Sequence, residues 1–193
     1  ASVRKKILSE YISSLQAHGI HPDIVDIKPA PVASWLLDQE GTPENGLLLD
    51  IGLFSDSMVL FMKKRIVLIR HFAMNNNGFP YSKNEDAGVR AGLATERVES
   101  SIKNLCASVQ NTIHAFGWQT KRRINIEKTF ITGIGAGMPG TEELLERLLG
   151  TPVEPVHVGG STSIRMHREL SEAWEPSVMD NALALTLRNP KKG

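Results

Sequence analysis

The sequence predicts an α/β fold in which a mixed β-sheet is flanked by helices. Three short apolar runs, residues 46–51, 56–62 and 65–72, follow one another closely, as the strands of antiparallel hairpins do. Helical and strand patterns then alternate as far as residue 187, which is typical of strands covered by helices. A glycine-rich turn at residues 133–140 leads directly from one strand pattern into a helix.

Composition limits the kind of protein. The 193 residues can bury one core, and 41% hydrophobic with 22% charged residues is ordinary for a globular domain. A net charge of +1 gives no indication of nucleic acid or of a polyanionic substrate. The single cysteine excludes a disulfide framework and favours a reducing compartment. No apolar run approaches the ~18 residues of a membrane span, and the abrupt ends favour an excised piece of a longer polypeptide.

Two helices and a strand are predicted before the first apolar run. Residues 3–17 repeat apolar side chains at helical spacing, and residues 31–37 form a second, shorter helix. Residues 22–28 alternate apolar and polar side chains, which predicts a short strand.

A turn-rich segment, residues 41–46, is the expected boundary between subdomains. Residues 1–42 would form a helix-strand-helix segment that belongs to a preceding subdomain. Residues 43–193 would form the main subdomain.

The second half of the chain predicts helix, strand, helix, strand, helix. A long helix covers residues 95–116, with Thr95 as its N-cap. The shorter elements are a strand at 128–132, a helix at 141–149, a strand at 153–156 and a helix at 176–187. Three antiparallel strands followed by this alternation form the ribonuclease-H-like order of elements.

The glycine-rich turn does not match two well-known phosphate-binding signatures. A P-loop needs Lys-Ser or Lys-Thr after Gly140, and Thr141-Glu142 follows instead. A dinucleotide fingerprint starting at Gly133 needs a small residue where Met138 stands. The turn is therefore either a ligand cradle or a tight strand–helix connection.

Three segments carry a family resemblance. They read HGIHPDIVD at 18–26, LLLDIG at 47–52, and ITGIGAGMPG at 131–140 followed by LLGTPVE at 148–154. In this order they resemble the PilM/GspL group of the actin-like ATPase superfamily, which comprises the type IV pilus M protein and the cytoplasmic part of the type II secretion L protein. The ending NPKKG at 189–193 favours the secretion L branch.

The resemblance implies the second half of an actin-like fold and a set of nucleotide-facing residues. In that fold the aspartate matched by Asp50 orients Mg²⁺-bound water. Gly52 and Ser55 match the phosphate hairpin. The adenosine-facing turn is matched by Gly133, Gly135 and Gly137.

The chain departs from the family at the phosphate hairpin. Leu53-Phe54 stand where small residues are expected and would crowd a phosphate, while Asp56 would repel it. The other phosphate loop of the superfamily belongs to a half that these residues lack, so a complete ATP site is not expected. We expect no cofactor and no metal, with Mg-ATP as the alternative. Asp50 could equally be a strand-end carboxylate that caps a turn.

The resemblance implies a scaffold rather than an enzyme. The protein would lie on the cytoplasmic face of the bacterial inner membrane and link the motor ATPase of a secretion or pilus system to inner-membrane platform proteins. The alternative is an ATP-binding domain with nucleotide-regulated assembly. A homodimer and a membrane tether in the full-length protein fit either function, and nucleic acid is not an expected partner.

Several other residues have structural explanations. Cys106 falls on an apolar helix stripe and is expected to be an inert core thiol. His18 and His21 lack further metal ligands, and the basic stretch 121–123 is either a solvated turn or a contact to acidic lipid or a partner. Partner contacts are expected at residues 75–94 and 159–170, with the tryptophans as core or interface anchors.

Overall fold

The computed structural model describes residues 4–73, 88–160 and 176–187. Apart from the strand predicted at residues 22–28, helices and strands within these ranges follow one another in the predicted order. Two short 3₁₀ turns, Ile134–Gly137 and Val158–Gly160, supplement them. The main elements are α1 (Lys5–Ala17), α2 (Ala30–Leu37), β1 (Asn45–Ile51), β2 (Ser55–Met62), β3 (Arg65–Ala73), α3 (Gly88–Thr120), β4 (Lys128–Thr132), α4 (Thr141–Leu149), β5 (Val153–Pro155) and α5 (Pro176–Leu187).

The five strands form one mixed sheet in the order β3-β2-β1-β4-β5. β1, β2 and β3 are antiparallel neighbours, whereas β1 and β4, and β4 and β5, run parallel. β1 lies in the centre and is buried from Gly46 to Ile51, which explains its continuous apolar sequence. The predicted ribonuclease-H-like mixed sheet flanked by helices is confirmed.

Helices cover both faces of the sheet. Because side chains alternate along a strand, Leu47, Leu49 and Ile51 face one way and Leu48 faces the other. The first face packs against α3 and α4, and the second against α2 and α5. Cys106 lies in the first of these cores, where burial raises the pKa of its thiol to about 11. The expectation that Cys106 lies in the core is confirmed.

The predicted strand at residues 22–28 is wrong. This segment is irregular, and no strand of the described sheet lies beside it to pair with its backbone. Ile24 and Val25 are both exposed, so the alternation in sequence does not correspond to alternating burial. A strand pattern without a partner strand cannot satisfy its own backbone N–H and C=O groups.

One helix, α3, starts earlier than predicted. α3 begins at Gly88, so Thr95 lies inside the helix rather than at its N-cap. Gly88 and Gly92 each disfavour a helix by about 1 kcal/mol relative to alanine, which is why the sequence pattern predicts a later start. α1 forms as expected, yet none of its residues is buried.

Some predictions fall beyond the described ranges. The expected contact loops at 75–94 and 159–170 lie largely outside them, as do Trp174 and residues 189–193. Within the ranges, α2 packs on the same sheet as the later elements, and the subdomain boundary at residue 42 stays a prediction. No helix in the described part of the chain is long and apolar enough to cross a bilayer.

Candidate functional site

The candidate site lies where β1 and β4 end. These strands are parallel, and Asp50 stands opposite Thr132 in their register. The turn that begins at Gly52 and the turn that begins at Gly133 therefore open side by side on one edge of the sheet. The resemblance to an actin-like fold requires this arrangement, and the strand pairing confirms it.

Asp50 is buried and already has partners on one oxygen. Its side chain is 1% exposed, and its Oδ2 accepts a hydrogen bond from Asn181 Nδ2 at 2.9 Å. The same oxygen lies 3.2 Å from Nζ of Lys28, whose side chain is half exposed. One carboxylate thus joins three parts of the chain: the segment before α2, the end of β1, and α5.

The other oxygen of Asp50 lies against the glycine turn. Oδ1 has no hydrogen-bond partner among the described residues. A Cβ added at Gly133 would fall 2.5 Å from Oδ1 and 2.6 Å from the carbonyl oxygen of Ile51. Gly133 also has a φ of +85°, a left-handed conformation that glycine adopts without steric cost. Both the close approach and the dihedral angle require glycine here.

The predicted phosphate hairpin is closed on itself. The backbone N–H of Gly52 donates to Oδ1 of Asp56 at 3.1 Å. A Cβ at Gly52 would meet the carbonyl oxygen of Ser55 at 2.5 Å, so this turn is also too tight for a side chain. Ser55 is exposed, and the Phe54 side chain between them is 81% exposed. The amide that the resemblance assigns to phosphate is therefore engaged by a side chain of the hairpin.

Two amides of the glycine turn donate to backbone carbonyls of the same turn. Gly135 is buried in the 3₁₀ turn and Gly137 is exposed at its end. Ala136 N–H donates to the Gly133 carbonyl at 3.0 Å, and Met138 N–H donates to the Gly135 carbonyl at 3.3 Å. Of the two explanations left open for this turn, these contacts favour a tight strand–helix connection.

Burial sets the ionisation of Asp56. Loss of hydration raises the pKa of this carboxyl from 3.8 to about 7, against the lowering effect of the Gly52 N–H. The negative charge of Asp50 raises the pKa further, and the Lys28 ammonium lowers it. The hairpin consequently contains a carboxyl group that is partly protonated at neutral pH.

This pKa predicts that stability falls as pH rises. A carboxyl whose pKa is higher in the folded state than in the unfolded state binds its proton preferentially when folded. The resulting stabilisation is complete below the unfolded pKa near 4 and is lost as pH rises through about 7. At pH 8 we expect the free energy of unfolding of D56N to be about 2 kcal/mol higher than that of the parent. The amide of D56N can still accept the hydrogen bond from Gly52, but it carries no charge.

Urea unfolding at pH 4, 5, 6, 7 and 8 checks this expectation. The free energies of unfolding of the two proteins should converge near pH 4, diverge between pH 4 and pH 7, and differ by a constant amount above about pH 7. The exposed Asp38 provides a matched control, since D38N should follow the parent at every pH. Parallel pH profiles for D56N and the parent would contradict the argument.

A further buried carboxyl, that of Asp180, lies near the end of β4. Asp180 is fully buried in α5, where it accepts hydrogen bonds from Val158 N–H at 3.0 Å and Thr132 Oγ1 at 3.3 Å. Burial raises the pKa of this group to about 6, and these hydrogen bonds and the nearby His157 lower it. Sequence reasoning missed Lys28, Asp180 and Asn181. The available signal was the polar pair Asp180-Asn181 within an otherwise apolar helix.

The described residues do not fit Mg-ATP at this edge. Magnesium keeps several water ligands and needs exposed oxygen atoms, but Asp50 is buried and its charge is balanced by Lys28. The Gly52 amide is also occupied. No group of three or more His, Cys, Asp or Glu residues in the described ranges could hold a metal ion. The nucleotide roles of the six matched residues stay a prediction.

Comparison with known proteins gives the fold. No family model matches the chain, and no curated protein matches its sequence. Among solved structures it is similar to the type IV pilus biogenesis complex of PilM and PilN, with a TM-score of 0.70 and 21% identity over 96% of this chain and 58% of the other. It is also similar to the ethanolamine utilization protein EutJ from Carboxydothermus hydrogenoformans, with a TM-score of 0.63 and 13% identity over 98% of this chain and 63% of that one.

The chain therefore spans less than two thirds of the length of each of these two structures. Neither likeness confirms the preference for the secretion L branch. What the comparisons do show is that the chain has the actin-like fold and that its structural neighbours include a PilM protein and EutJ.

Proposed function

We propose that the chain is an actin-like scaffold domain of a bacterial type IV pilus or type II secretion platform. On the cytoplasmic face of the inner membrane it would link the motor ATPase to inner-membrane platform proteins. The observation that carries the proposal is the likeness to PilM over 96% of the chain, in a structure described as a PilM–PilN complex. Assembly into a homodimer and a membrane tether in the full-length protein are parts of the same proposal.

The contacts of Asp50 support a scaffold rather than an ATPase. Its charge is balanced by Lys28 and its second donor is Asn181, so both contacts connect elements of the same fold. The Asp56 carboxyl, which occupies the Gly52 amide, adds negative charge where a phosphate would lie. These contacts hold β1, α5 and the segment before α2 together within the domain.

A second candidate is an ATP-binding domain with nucleotide-regulated assembly. The observation that favours it is Oδ1 of Asp50, which is buried beside the glycine turn without a hydrogen-bond partner among the described residues. A buried acceptor in that state costs about 1–3 kcal/mol, and a ligand could supply the missing donor. The two candidates differ in whether nucleotide changes stability or assembly.

Affinity capture tests the scaffold. The tagged protein would be co-expressed with the motor ATPase and with the platform protein of the same gene cluster, and captured with and without EDTA. We expect both partners to be retained and the amounts to be unaffected by EDTA. A motor ATPase from an unrelated secretion system is the control and should be lost in washing. Failure to retain either cognate partner would contradict the proposal.

A further inference from the structure

Two connections between secondary-structure elements lie at the end of the sheet that is opposite Asp50. One is the β2–β3 hairpin, where Lys63 N–H donates to Oδ1 of Asn45 at 3.2 Å. The other joins α3 to β4 and ends at Glu127, whose N–H donates to the carbonyl oxygen of Asn45 at 3.2 Å. Since Asn45 begins β1, both connections lie at the amino ends of β1 and β4. We call this surface the amino edge.

The amino edge concentrates positive charge. Each connection contributes three exposed basic residues, counting Arg65 at the start of β3, and none of these has a carboxylate within 4.0 Å in the described ranges. The set comprises Lys63, Lys64, Arg65, Lys121, Arg122 and Arg123. The whole chain has a net charge of only +1, so the rest of the molecule is net negative. Glu127, an acidic residue at this edge, accepts hydrogen bonds from both the backbone and the side chain of Asn45.

An exposed tryptophan lies beside two of these cations, Arg122 and Arg123. Trp118 is 87% exposed, the highest fraction of any large hydrophobic residue in the described part of the chain. It borders an open depression of about 450 Å³ whose lining includes Ile113, Arg122 and Arg123. A transient partner could place an apolar side chain in this depression while its charged groups contact the guanidinium ions.

The turn after α3 fixes this arrangement. Arg122 N–H donates to the carbonyl oxygen of Gly117 at 3.0 Å, and Lys121 takes a φ of +53°. A Cβ at Gly117 would lie only 3.0 Å from the carbonyl oxygen of Arg122, so the chain folds back closely on the helix end. The turn therefore holds Arg122 and Arg123 close to the last turn of α3, which carries Trp118.

Helix electrostatics alone do not explain the surface. Basic residues at a helix C-terminus complement the helix dipole, which accounts for the charge of residues 121–123. They do not account for the exposed indole of Trp118. An aromatic side chain of this size would remove about 150–250 Å² of surface from solvent if it were buried, and Trp118 forgoes that stabilisation. Tryptophan and arginine together are the residue types most enriched at the energetic centres of protein interfaces.

We propose that the amino edge is a docking surface for an acidic polypeptide segment that carries an aliphatic or aromatic side chain. The carboxylates pair with the basic residues of the two connections, and the apolar side chain packs on Trp118 in the depression. This inference goes beyond the scaffold role and does not depend on it, since it specifies the chemistry of a partner and not its identity.

Selection from a random 12-residue peptide display library tests the proposal. The full chain is the target, and the recovered peptides are then measured by fluorescence polarisation against the parent and three variants. These are W118A, the charge reversal R122E/R123E, and the control R4E/K5E, which reverses two exposed charges at the start of α1. Circular dichroism and thermal melting establish that each variant is folded.

We expect the selected peptides to be rich in Asp and Glu with one or two apolar positions. W118A and R122E/R123E should each weaken binding at least about tenfold, R4E/K5E less than about twofold, and added salt should weaken the parent. Selected peptides that are neutral or basic, or that bind W118A as tightly as the parent, would overturn the proposal. Trp118-dependent binding to phosphatidylglycerol vesicles without selection of acidic peptides would overturn it in favour of a lipid surface.

Discussion

Replacing Gly133 with alanine is expected to lower the free energy of unfolding by about 4 kcal/mol. The new Cβ would lie 2.5 Å from Oδ1 of the buried Asp50 and 2.6 Å from the backbone of Ile51, so the turn or the strand end must move. The φ of +85° adds a backbone cost of about 1–2 kcal/mol for any residue with a side chain. Urea denaturation followed by circular dichroism measures the loss.

Gly150 provides a matched control for this substitution. It also has a positive φ, +71°, but a Cβ there meets nothing within 4 Å. G150A should therefore cost only the backbone term, about 1 kcal/mol. If G133A and G150A lowered the free energy of unfolding equally, the close contact with Asp50 would not be what requires glycine at position 133.

Removing the ammonium of Lys28 is expected to cost about 3 kcal/mol. K28A leaves the buried Asp50 carboxylate without its counter-ion, and breaking a buried ion pair from one side typically costs about 3–5 kcal/mol. The lower end applies because Lys28 is half exposed and water can reach the vacated position. The double variant K28A/D50N should lose less free energy of unfolding than K28A and D50N lose in sum, since the amide at position 50 needs no counter-ion.

Lys6 serves as the comparison. Its pair with Glu10 in α1 is exposed on both sides, 88% and 66%, so K6A should change stability by less than about 0.5 kcal/mol. A K28A variant as stable as K6A would show that Asp50 does not need its cation. The structural role assigned to this pair would then be wrong.

The sheet could be predicted because its signals are local. The apolar runs that become β1, β2 and β3 are separated by turns of two or three residues, so hairpin pairing is nearly unavoidable. The parallel addition of β4 follows from the helix that precedes it. The strand prediction for residues 22–28 failed for the opposite reason. Alternation shows which face a strand would bury, but nothing in the local sequence shows whether a partner strand exists.

The site was only half accessible to sequence reasoning. Asp50 and Gly133 could be placed together because Asp50 lies near the end of β1 and Gly133 directly follows β4, its parallel neighbour. The groups that decide what Asp50 can do come from far away: Asn181 is 131 residues distant in sequence, and Lys28 belongs to a segment without regular structure. Trp118 likewise occupies an ordinary helical position, and nothing in the surrounding sequence indicates that its side chain is exposed.

Lys28 balances the charge of Asp50 inside the protein, which supports the proposed scaffold function over nucleotide binding. Thermal unfolding of the protein with and without saturating Mg-ATP, alongside D50N, tests this directly. The melting curve should be the same in both conditions. A stabilisation approaching ~2.7 kcal/mol, the value for a ligand at 100 times its Kd, that disappears in D50N would contradict it.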